Sequence, residues 1–197
     1  MKRVLVSGFE PFGGSTVNPS QQLVDALDGD VAKALLPVSY ARVADALRDA
    51  IAANDPDVVI CFGQADGRTG ISVERFAHNL DDATTTDNDL APGSGEPIDP
   101  GGPTAYASSL PVDDIVAALR AEGIPAVPSR DAGGFLCNHV FYELMRTLER
   151  DVPDTRGGFV HVPLLPEQAL DKDTASMPLE TLVRAAAIIV ATVRADY

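Results

Sequence analysis

The sequence predicts an α/β fold with one mostly parallel β-sheet and helices on both of its faces. Short runs rich in Val, Ile or Phe alternate with amphipathic stretches along the whole chain. This alternation implies crossover connections, which join parallel strands. The chain has 197 residues, 45% hydrophobic and 22% charged, which is an ordinary globular composition. At about 100–200 residues per domain we expect a single domain that covers residues 1–197.

Six segments have the character of strands. They are short and rich in β-branched or aromatic residues, which suit a pleated and buried surface. The predicted strands are residues 3–6, 31–38, 57–62, 71–80, 126–129 and 158–165. In open parallel sheets the ligand crevice lies beyond the carboxyl ends of the strands. Motifs that directly follow a strand are therefore the candidates for a functional site.

Five segments have the period of amphipathic helices. Apolar residues recur in them at three- and four-residue spacing, as Val43, Leu47 and Ile51 do in the second. The predicted helices are residues 20–27, 41–53, 112–121, 140–148 and 179–193. Their apolar faces are expected to cover the sheet.

One segment, residues 81–104, does not fit this alternation. It is rich in Asp, Gly, Pro, Thr and Ser and has almost no apolar periodicity. Loops of this length without regular structure are uncommon in compact domains, and many are functional lids or are disordered. Two interpretations stay open: a lid over a site, or a surface excursion that contacts another copy of the chain.

The charge balance bears on partners and location. Acidic residues outnumber basic ones by 29 to 15, which gives a formal net charge of −14. Such a surface repels phosphate backbones and anionic lipid headgroups, so neither nucleic acid nor membrane is an expected partner. The first apolar run is too short for a signal peptide, and no stretch approaches the ~20 apolar residues of a membrane span. Two cysteines are too few for a disulfide framework. We therefore expect a cytoplasmic protein.

Cys137 is the first candidate for chemistry, because it directly precedes an amphipathic helix. Gly133 and Gly134 permit a tight turn before it. The positive end of a helix dipole favours the thiolate form, and the free N–H groups of the first turn can bind an anion. The alternative is a buried structural cysteine, since free Cys is among the most buried residue types. Cys61, inside an apolar strand, is expected to be an inert core thiol.

A nucleophilic cysteine needs a base within hydrogen-bond reach, and three histidines are available. His139 is a poor partner, because helical positions two residues apart do not face each other. His78 lies within a predicted strand. His161 ends an apolar run just before Val162-Pro163, where a strand is expected to stop and the crevice to open. His161 is therefore the best candidate base.

Glu74 is a carboxylate in an otherwise largely apolar strand, and buried carboxylates usually have a partner. It could orient the base, or it could form a salt bridge with Arg75 or Arg68. Metal binding is not expected, because the two cysteines and three histidines show no paired ligand spacing. We expect no cofactor.

The loop after the first strand invites comparison with a dinucleotide-binding loop. It fails that comparison, because Phe9, Pro11 and Phe12 stand where glycines should let a pyrophosphate approach. Two phenylalanines in a turn beyond a strand instead indicate an apolar pocket for a small, flat group.

Six motifs follow one another in a recognisable order. They are Gly8-Phe9-Glu10-Pro11-Phe12-Gly13-Gly14, Asn18-Pro19-Ser20, Gly63-Gln64-Ala65-Asp66-Gly67-Arg68, Glu74-Arg75, Phe135-Leu136-Cys137-Asn138-His139 and His161-Val162-Pro163-Leu164-Leu165-Pro166-Glu167-Gln168. Together they resemble the motifs of the pyroglutamyl peptidase I family (pyrrolidone-carboxylate peptidases). The resemblance covers essentially the whole chain, and the set is far more specific than any one motif.

The resemblance implies a cytosolic, metal-free cysteine peptidase that removes an N-terminal pyroglutamyl residue. It implies a single α/β/α sandwich, often assembled as a homotetramer. By the same resemblance, Cys137 is the nucleophile, His161 is the general base and then the acid, and Glu74 orients His161.

The family's pyroglutamate pocket maps onto Phe9 and Phe12, with Asn18 and Gln64 nearby. This agrees with the interpretation of the two phenylalanines above. A lactam ring is flat and partly apolar, so aromatic walls suit it, while its N–H and carbonyl groups still require polar partners.

The chain departs from the family pattern at two positions. Thr84 stands where the family commonly has an arginine assigned to oxyanion stabilisation, and threonine cannot supply that charge. Asp66 stands where the family usually has glycine, and its carboxylate could repel anionic substrates or pair with Arg68. Two alternative functions therefore stay open: a thiol amidohydrolase of altered specificity, and a non-catalytic binding relative.

Overall fold

The computed structural model describes residues 1–195 and has the predicted α/β architecture. The strands are β1 (Val4–Phe9), β2 (Ala32–Leu36), β3 (Val58–Gln64), β4 (Ile71–Glu74), β5 (Phe76–His78), β6 (Ala105–Ala107), β7 (Ala126–Ser129) and β8 (Arg156–Val162). The helices are α1 (Pro19–Ala26), α2 (Val43–Asn54), α3 (Val112–Ala121), α4 (Leu136–Asp151) and α5 (Leu179–Ala195), with a short 3₁₀ turn at Pro166–Gln168.

The main sheet has six strands in the order β2-β1-β3-β8-β4-β7. All neighbours are parallel except β4 and β8, which run antiparallel and pair Ser72 with His161. The carboxyl ends of β1, β3 and β8 therefore meet at one edge of the sheet. Because β4 is antiparallel to β8, β4 begins at that edge and runs away from it. A separate two-stranded sheet pairs β5 with β6.

Successive residues of the central strands point into two different cores. Val4 and Val6 pack with α1, α3 and α5 on one face, and Leu5 and Phe9 pack with α2 and α4 on the other. This is the alternation expected of a strand buried on both faces. The core beneath α2 and α4 is the one that continues into the candidate site.

Most observed elements begin and end within a few residues of their predicted bounds, but β1 runs on to Phe9, so the prediction of Phe9 in the turn after the strand is wrong. Two differences are larger. The predicted strand 71–80 is divided at Arg75, and its second half pairs with β6, which the sequence did not predict. At the break, Arg75 N–H donates to the Ser129 carbonyl and its own carbonyl accepts from Ser108 N–H, so the chain changes partners there. Helix α4 also begins four residues earlier than predicted, at Leu136.

The segment 81–104 contains no helix or strand, but it is fastened to its own chain at several points. Buried Asp87 accepts hydrogen bonds from the backbone N–H groups of Tyr40, Asp89 and Ala91. Asn88 N–H donates to the Val38 carbonyl. The Ala83 N–H donates to the Gly134 carbonyl at 3.0 Å. The segment therefore packs beside the turn that leads into α4.

None of the helices between residues 1 and 195 has the length and apolar character needed to cross a membrane.

Candidate active site

The edge where β1, β3 and β8 end carries most of the predicted site residues. Phe9 ends β1, Gln64 ends β3 and His161 is the penultimate residue of β8. Helix α4 begins beside them after a turn in which Gly133 has φ +79°, a conformation that favours glycine. Cys137 lies in the first turn of α4 and is half-buried.

Cys137, His161 and Glu74 form one connected group. His161 Nδ1 lies 2.8 Å from Glu74 Oε1, and both side chains are buried, at 4% and 0% exposure. Cys137 lines the same cavity as His161 and raises the pKa of its imidazole. Because Nδ1 faces Glu74, Nε2 is the nitrogen left for the thiol. The structure thus brings together the three residues that the sequence predicted as nucleophile, base and orienting carboxylate.

Opposing forces act on the proton of His161. Burial lowers the pKa of the imidazole. The Cys137 side chain, followed by Glu74, raises this pKa by more than burial lowers it. The net result is a pKa above the ordinary histidine value. The protonated form of the imidazole, which faces Glu74, is therefore favoured at neutral pH.

Glu74 has a second cationic neighbour. Arg68 Nη2 lies 3.6 Å from its Oε1, and Arg68 also donates to the Asp131 carbonyl at 2.9 Å. Of the two salt bridges that the sequence left open for Glu74, the one to Arg68 is present. The one to Arg75 is wrong, because Arg75 reaches across to Asp113 instead.

The first turn of α4 supplies donors for a negative charge. The N–H groups of Asn138 and His139 donate to the Phe135 carbonyl, and no side chain caps this helix end. The N–H groups of Leu136 and Cys137 have no intrahelical carbonyl, as expected for a helix start. They are the donors available to an oxyanion formed next to the Cys137 sulfur.

The thiol is also packed closely against β3. A Cβ atom added at Gly63 would lie 2.8 Å from Cys137 Sγ and 2.6 Å from Phe159 Cζ. Only glycine leaves room for both groups at this point. The Phe159 ring in turn lies 4.9 Å from the His161 ring, between centroids.

A cavity of about 280 Å³ opens in front of this group. Cys137 and His161 line it together with all four predicted substrate-binding residues, Phe9, Phe12, Asn18 and Gln64. Its other lining residues are Val38, Ala65, Asp66, Arg68, Ala132, Gly133, Gly134, Phe135 and Leu136. Phe12 packs against Phe135 with ring centroids 5.8 Å apart, so the walls are largely aromatic and aliphatic.

The two amide side chains of the wall, those of Asn18 and Gln64, are held in different ways. Asn18 is 1% exposed and caps α1: its Oδ1 accepts from Ser20 N–H and its Nδ2 donates to the Glu10 carbonyl. Gln64 Oε1 accepts from Gln168 Nε2 at 3.0 Å, which fixes the Gln64 amide. Asn18 therefore shapes the wall, whereas Gln64 has an amide group left with which to contact a ligand.

Sequence reasoning missed a set of supporting residues beside Cys137. Asn138 is fully buried; its Oδ1 accepts from His78 N–H and its Nδ2 donates to the His78 and Leu80 carbonyls. His139 Nδ1 lies 2.7 Å from Asp81 Oδ2, so His139 has its own carboxylate partner and is not the base for Cys137. Asn138 and His139 stand in a quoted motif, but their partners lie about 60 residues away in the chain.

The two departures from the family pattern are both at the surface. Asp66 accepts from Thr174 Oγ1 at 2.7 Å and lies 3.3 Å from Lys172 Nζ, so the predicted pairing with Arg68 is wrong. The Thr174 hydrogen bond and the Lys172 charge hold the pKa of the Asp66 carboxyl below its usual value. Thr84 is exposed and follows Ala83, which is bonded to Gly134.

Within residues 1–195, no group of three or more His, Cys, Asp and Glu side chains is arranged to hold a metal ion.

Comparison with known proteins gives one consistent result. The family model described as pyroglutamyl peptidase matches residues 2–196. The pyrrolidone-carboxylate peptidase of Clavibacter michiganensis is 50% identical over 196 residues, 96% of this chain and 92% of the relative. That of Bacillus licheniformis is 48% identical over 197 residues, 95% and 92% of the two chains.

Solved structures agree with the sequence relatives. The crystal structure of pyroglutamyl peptidase I from Bacillus amyloliquefaciens superposes with a TM-score of 0.96 at 43% identity, covering 99% of this chain and 98% of that one. A mutant pyrrolidone carboxyl peptidase from Pyrococcus furiosus gives 0.94 at 37% identity, covering 98% and 99%.

Proposed function

Because this chain belongs to the pyroglutamyl peptidase family, we propose that it is a cysteine peptidase that removes pyroglutamate from the N-terminus of peptides. In this proposal Cys137, His161 and Glu74 form its catalytic triad. The observation that carries the assignment is the buried pair of His161 and Glu74, 2.8 Å apart, with Cys137 beside them at the start of α4 in the wall of the same cavity.

The reaction begins with attack of the Cys137 thiolate on the carbonyl carbon of the pyroglutamyl residue. The carbonyl oxygen becomes an oxyanion that the N–H groups of Leu136 and Cys137 bind. His161 donates its proton to the departing amine as the C–N bond breaks, which leaves a pyroglutamyl thioester on Cys137. The imidazole then takes a proton from water, the resulting hydroxide attacks the thioester, and free pyroglutamate leaves with the thiolate restored.

The cavity suits the substrate's ring. Phe9 and Phe12 would pack against the flat lactam, Asn18 would shape the wall, and the Gln64 amide would contact the polar edge of the ring. The lactam nitrogen carries no charge at neutral pH. An ordinary N-terminus carries an ammonium group, and burying that charge in an apolar cavity without a partner is costly. The pocket thereby discriminates by charge as well as by shape.

A panel of fluorogenic amides tests the proposal. Pyroglutamyl amide should be cleaved with kcat/KM roughly 10³-fold or more above prolyl amide, which has a ring of the same size but a charged nitrogen and no ring carbonyl. Alanyl amide should be as poor as prolyl amide. Acetyl-alanyl amide cleaved as fast as pyroglutamyl amide would establish a thiol amidohydrolase of altered specificity. No turnover, with rapid alkylation of Cys137 in the folded protein, would establish a non-catalytic relative.

We also propose that the chain works in the cytoplasm as a homo-oligomer, tetrameric as the family resemblance implies. Cys61 and Cys137 are both free thiols, which a reducing compartment preserves. Leu90 and Leu170 are each 79% exposed and would be covered by contact with another copy. Sedimentation velocity should give a species of four chains, and a monomer at micromolar concentration would contradict the assembly.

A further inference from the structure

We propose that Asp66 sets a charge preference for the residue that follows pyroglutamate, so that a basic side chain at that position is favoured over an acidic one. This inference rests on the proposed function, because it concerns the leaving side of the same reaction.

The exposure of the cavity walls shows where the peptide must leave. Phe9 and Asn18, which would hold the lactam, are 3% and 1% exposed. Among the residues that line the cavity, Asp66 and Gly133 are the exposed ones, and the remainder are buried or half-buried. With the ring on the floor and its carbonyl at Cys137, the next residue of the substrate passes out through the mouth beside Asp66.

Asp66 is fixed in an ionised state at this mouth. Its side chain is 51% exposed, while Thr174 Oγ1 donates to its Oδ1 at 2.7 Å and Lys172 Nζ lies 3.3 Å from its Oδ2. These contacts hold the pKa of the carboxyl below its usual value, so the charge persists at neutral pH. The Thr174 hydroxyl also accepts from Gly67 N–H at 3.2 Å, which anchors the loop next to Asp66.

The nearby cations offset this charge at the mouth only in part. Arg68 lines the cavity, but its guanidinium is matched inside the protein by buried Glu74 at 3.6 Å. Lys172 lies outside the walls of this cavity, and exposed Asp171 and Asp173 flank it in the chain. The whole molecule carries −14. A substrate side chain at the mouth therefore meets a negative field, which attracts Lys or Arg and repels Asp or Glu.

The test uses three substrates that differ only at the second residue: pyroglutamyl-lysyl, pyroglutamyl-alanyl and pyroglutamyl-glutamyl amides, with release of pyroglutamate followed by chromatography. For the wild type at low salt, kcat/KM should be about two- to fivefold higher for the lysyl than for the glutamyl substrate, the size expected of partly exposed charges. Raising the ionic strength to roughly 0.5 M should bring this ratio close to one.

Variants assign the preference to Asp66. The isosteric Asp66→Asn change keeps an acceptor for Thr174 and should abolish or reverse the lysyl-to-glutamyl ratio, because Lys172 then faces no carboxylate. Lys172→Gln should increase the ratio. The matched control, Asp28→Asn, changes an exposed carboxylate after α1, at the other end of the strands, and should leave the ratio unchanged.

Three outcomes would overturn the inference: equal rates for the lysyl and glutamyl substrates in the wild type, a ratio unaltered by Asp66→Asn, or an equal loss on all three substrates in Asp66→Asn. The pyroglutamyl-alanyl substrate separates this failure from failure of the proposed function. If the wild type cleaves that substrate, the function stands whatever the ratio; if it cleaves none of the three, the proposed function fails and this inference fails with it.

Discussion

At the residue scale, the pKa of His161 is set by opposing effects of its surroundings. Burial alone would lower the pKa of its imidazole and favour the neutral form. The side chains on either side, Cys137 and Glu74, raise the pKa and reverse that effect. In the proposed mechanism the carboxylate therefore has a role beyond orientation, because it helps to keep on His161 the proton that the leaving amine would receive.

Replacing Glu74 with Gln tests this balance. Glu74 raises the pKa of His161, so its removal should lower that pKa, and the imidazolium should be lost at a lower pH. We expect the basic limb of the kcat/KM profile to move down by about one pH unit, with reduced activity at the optimum. Glu180→Gln, an exposed carboxylate at the start of α5, is the control and should leave the profile in place. An unshifted basic limb in Glu74→Gln would show that the carboxylate does not act on the His161 proton.

The sequence predicted single residues best where local pattern carries the information. Cys137 stood out before a predicted helix and His161 at a predicted strand end; the structure places Cys137 in the first turn of that helix and His161 next to the end of β8. Asn138 was quoted only as part of a motif, because its hydrogen bonds reach the backbone of His78 and Leu80. Nothing near Asn138 in the sequence indicates that those groups lie against it.

At the scale of elements, α4 is the helix that positions Cys137. Its first turn presents the thiol and the free N–H groups. Asn138 makes three hydrogen bonds of 2.8–2.9 Å, two to His78 at the end of β5 and one to Leu80 just after it. The division of the predicted strand 71–80 follows from the same region. Its second half pairs with β6, which follows the irregular segment 81–104 in the chain. Because this pairing joins residues far apart in sequence, the local periodicity does not predict it.

The Asn138→Ala variant measures how much the hydrogen bonds of Asn138 contribute to the free energy of unfolding. It removes a fully buried amide and leaves one N–H and two carbonyl groups of partly buried backbone without their partner, at a cost of about 2–4 kcal/mol of unfolding free energy. Asn54→Ala, which removes an exposed side-chain bond at the end of α2, should cost less than about 0.5 kcal/mol. Urea denaturation measures both. Equal midpoints for the two variants would mean that the Asn138 contacts do not stabilise the fold.

At the scale of the whole molecule, the sheet separates two hydrophobic cores, and among residues 1–195 only one of them contacts the candidate site. The core beneath α1, α3 and α5 includes fully buried Ile189 and lies on the face away from α4. The core beneath α2 and α4 includes Phe141, whose ring lies 6.0 Å from that of Phe159, which in turn contacts His161. The composition and the alternation of strands and helices predicted this layered arrangement, but not which face would support the chemistry.

Large-to-small substitutions in the two cores should therefore differ in their effect on activity. Both Ile189→Ala and Phe141→Ala should lower the unfolding free energy by about 2–5 kcal/mol. At a temperature where each variant is folded, Ile189→Ala should keep the wild-type kcat/KM, whereas Phe141→Ala should reduce it because the support of Phe159 and His161 is lost. Calorimetry with parallel kinetics provides the comparison. A loss of kcat/KM in folded Ile189→Ala as large as in Phe141→Ala would contradict the claim that only the core containing Phe141 supports the site.

The central claim is that the Cys137 thiol carries the hydrolysis of the pyroglutamyl bond. The most direct measurement is the release of a fluorescent amine from a pyroglutamyl amide by the wild type, Cys137→Ala and Cys61→Ala, each shown by circular dichroism to be folded. Cys61 is the matched control: it is fully buried, and burial raises the pKa of its thiol to about 12, so that it stays protonated. The account predicts turnover by the wild type and Cys61→Ala and a loss of at least roughly 10³-fold in Cys137→Ala. Turnover retained by folded Cys137→Ala would contradict it.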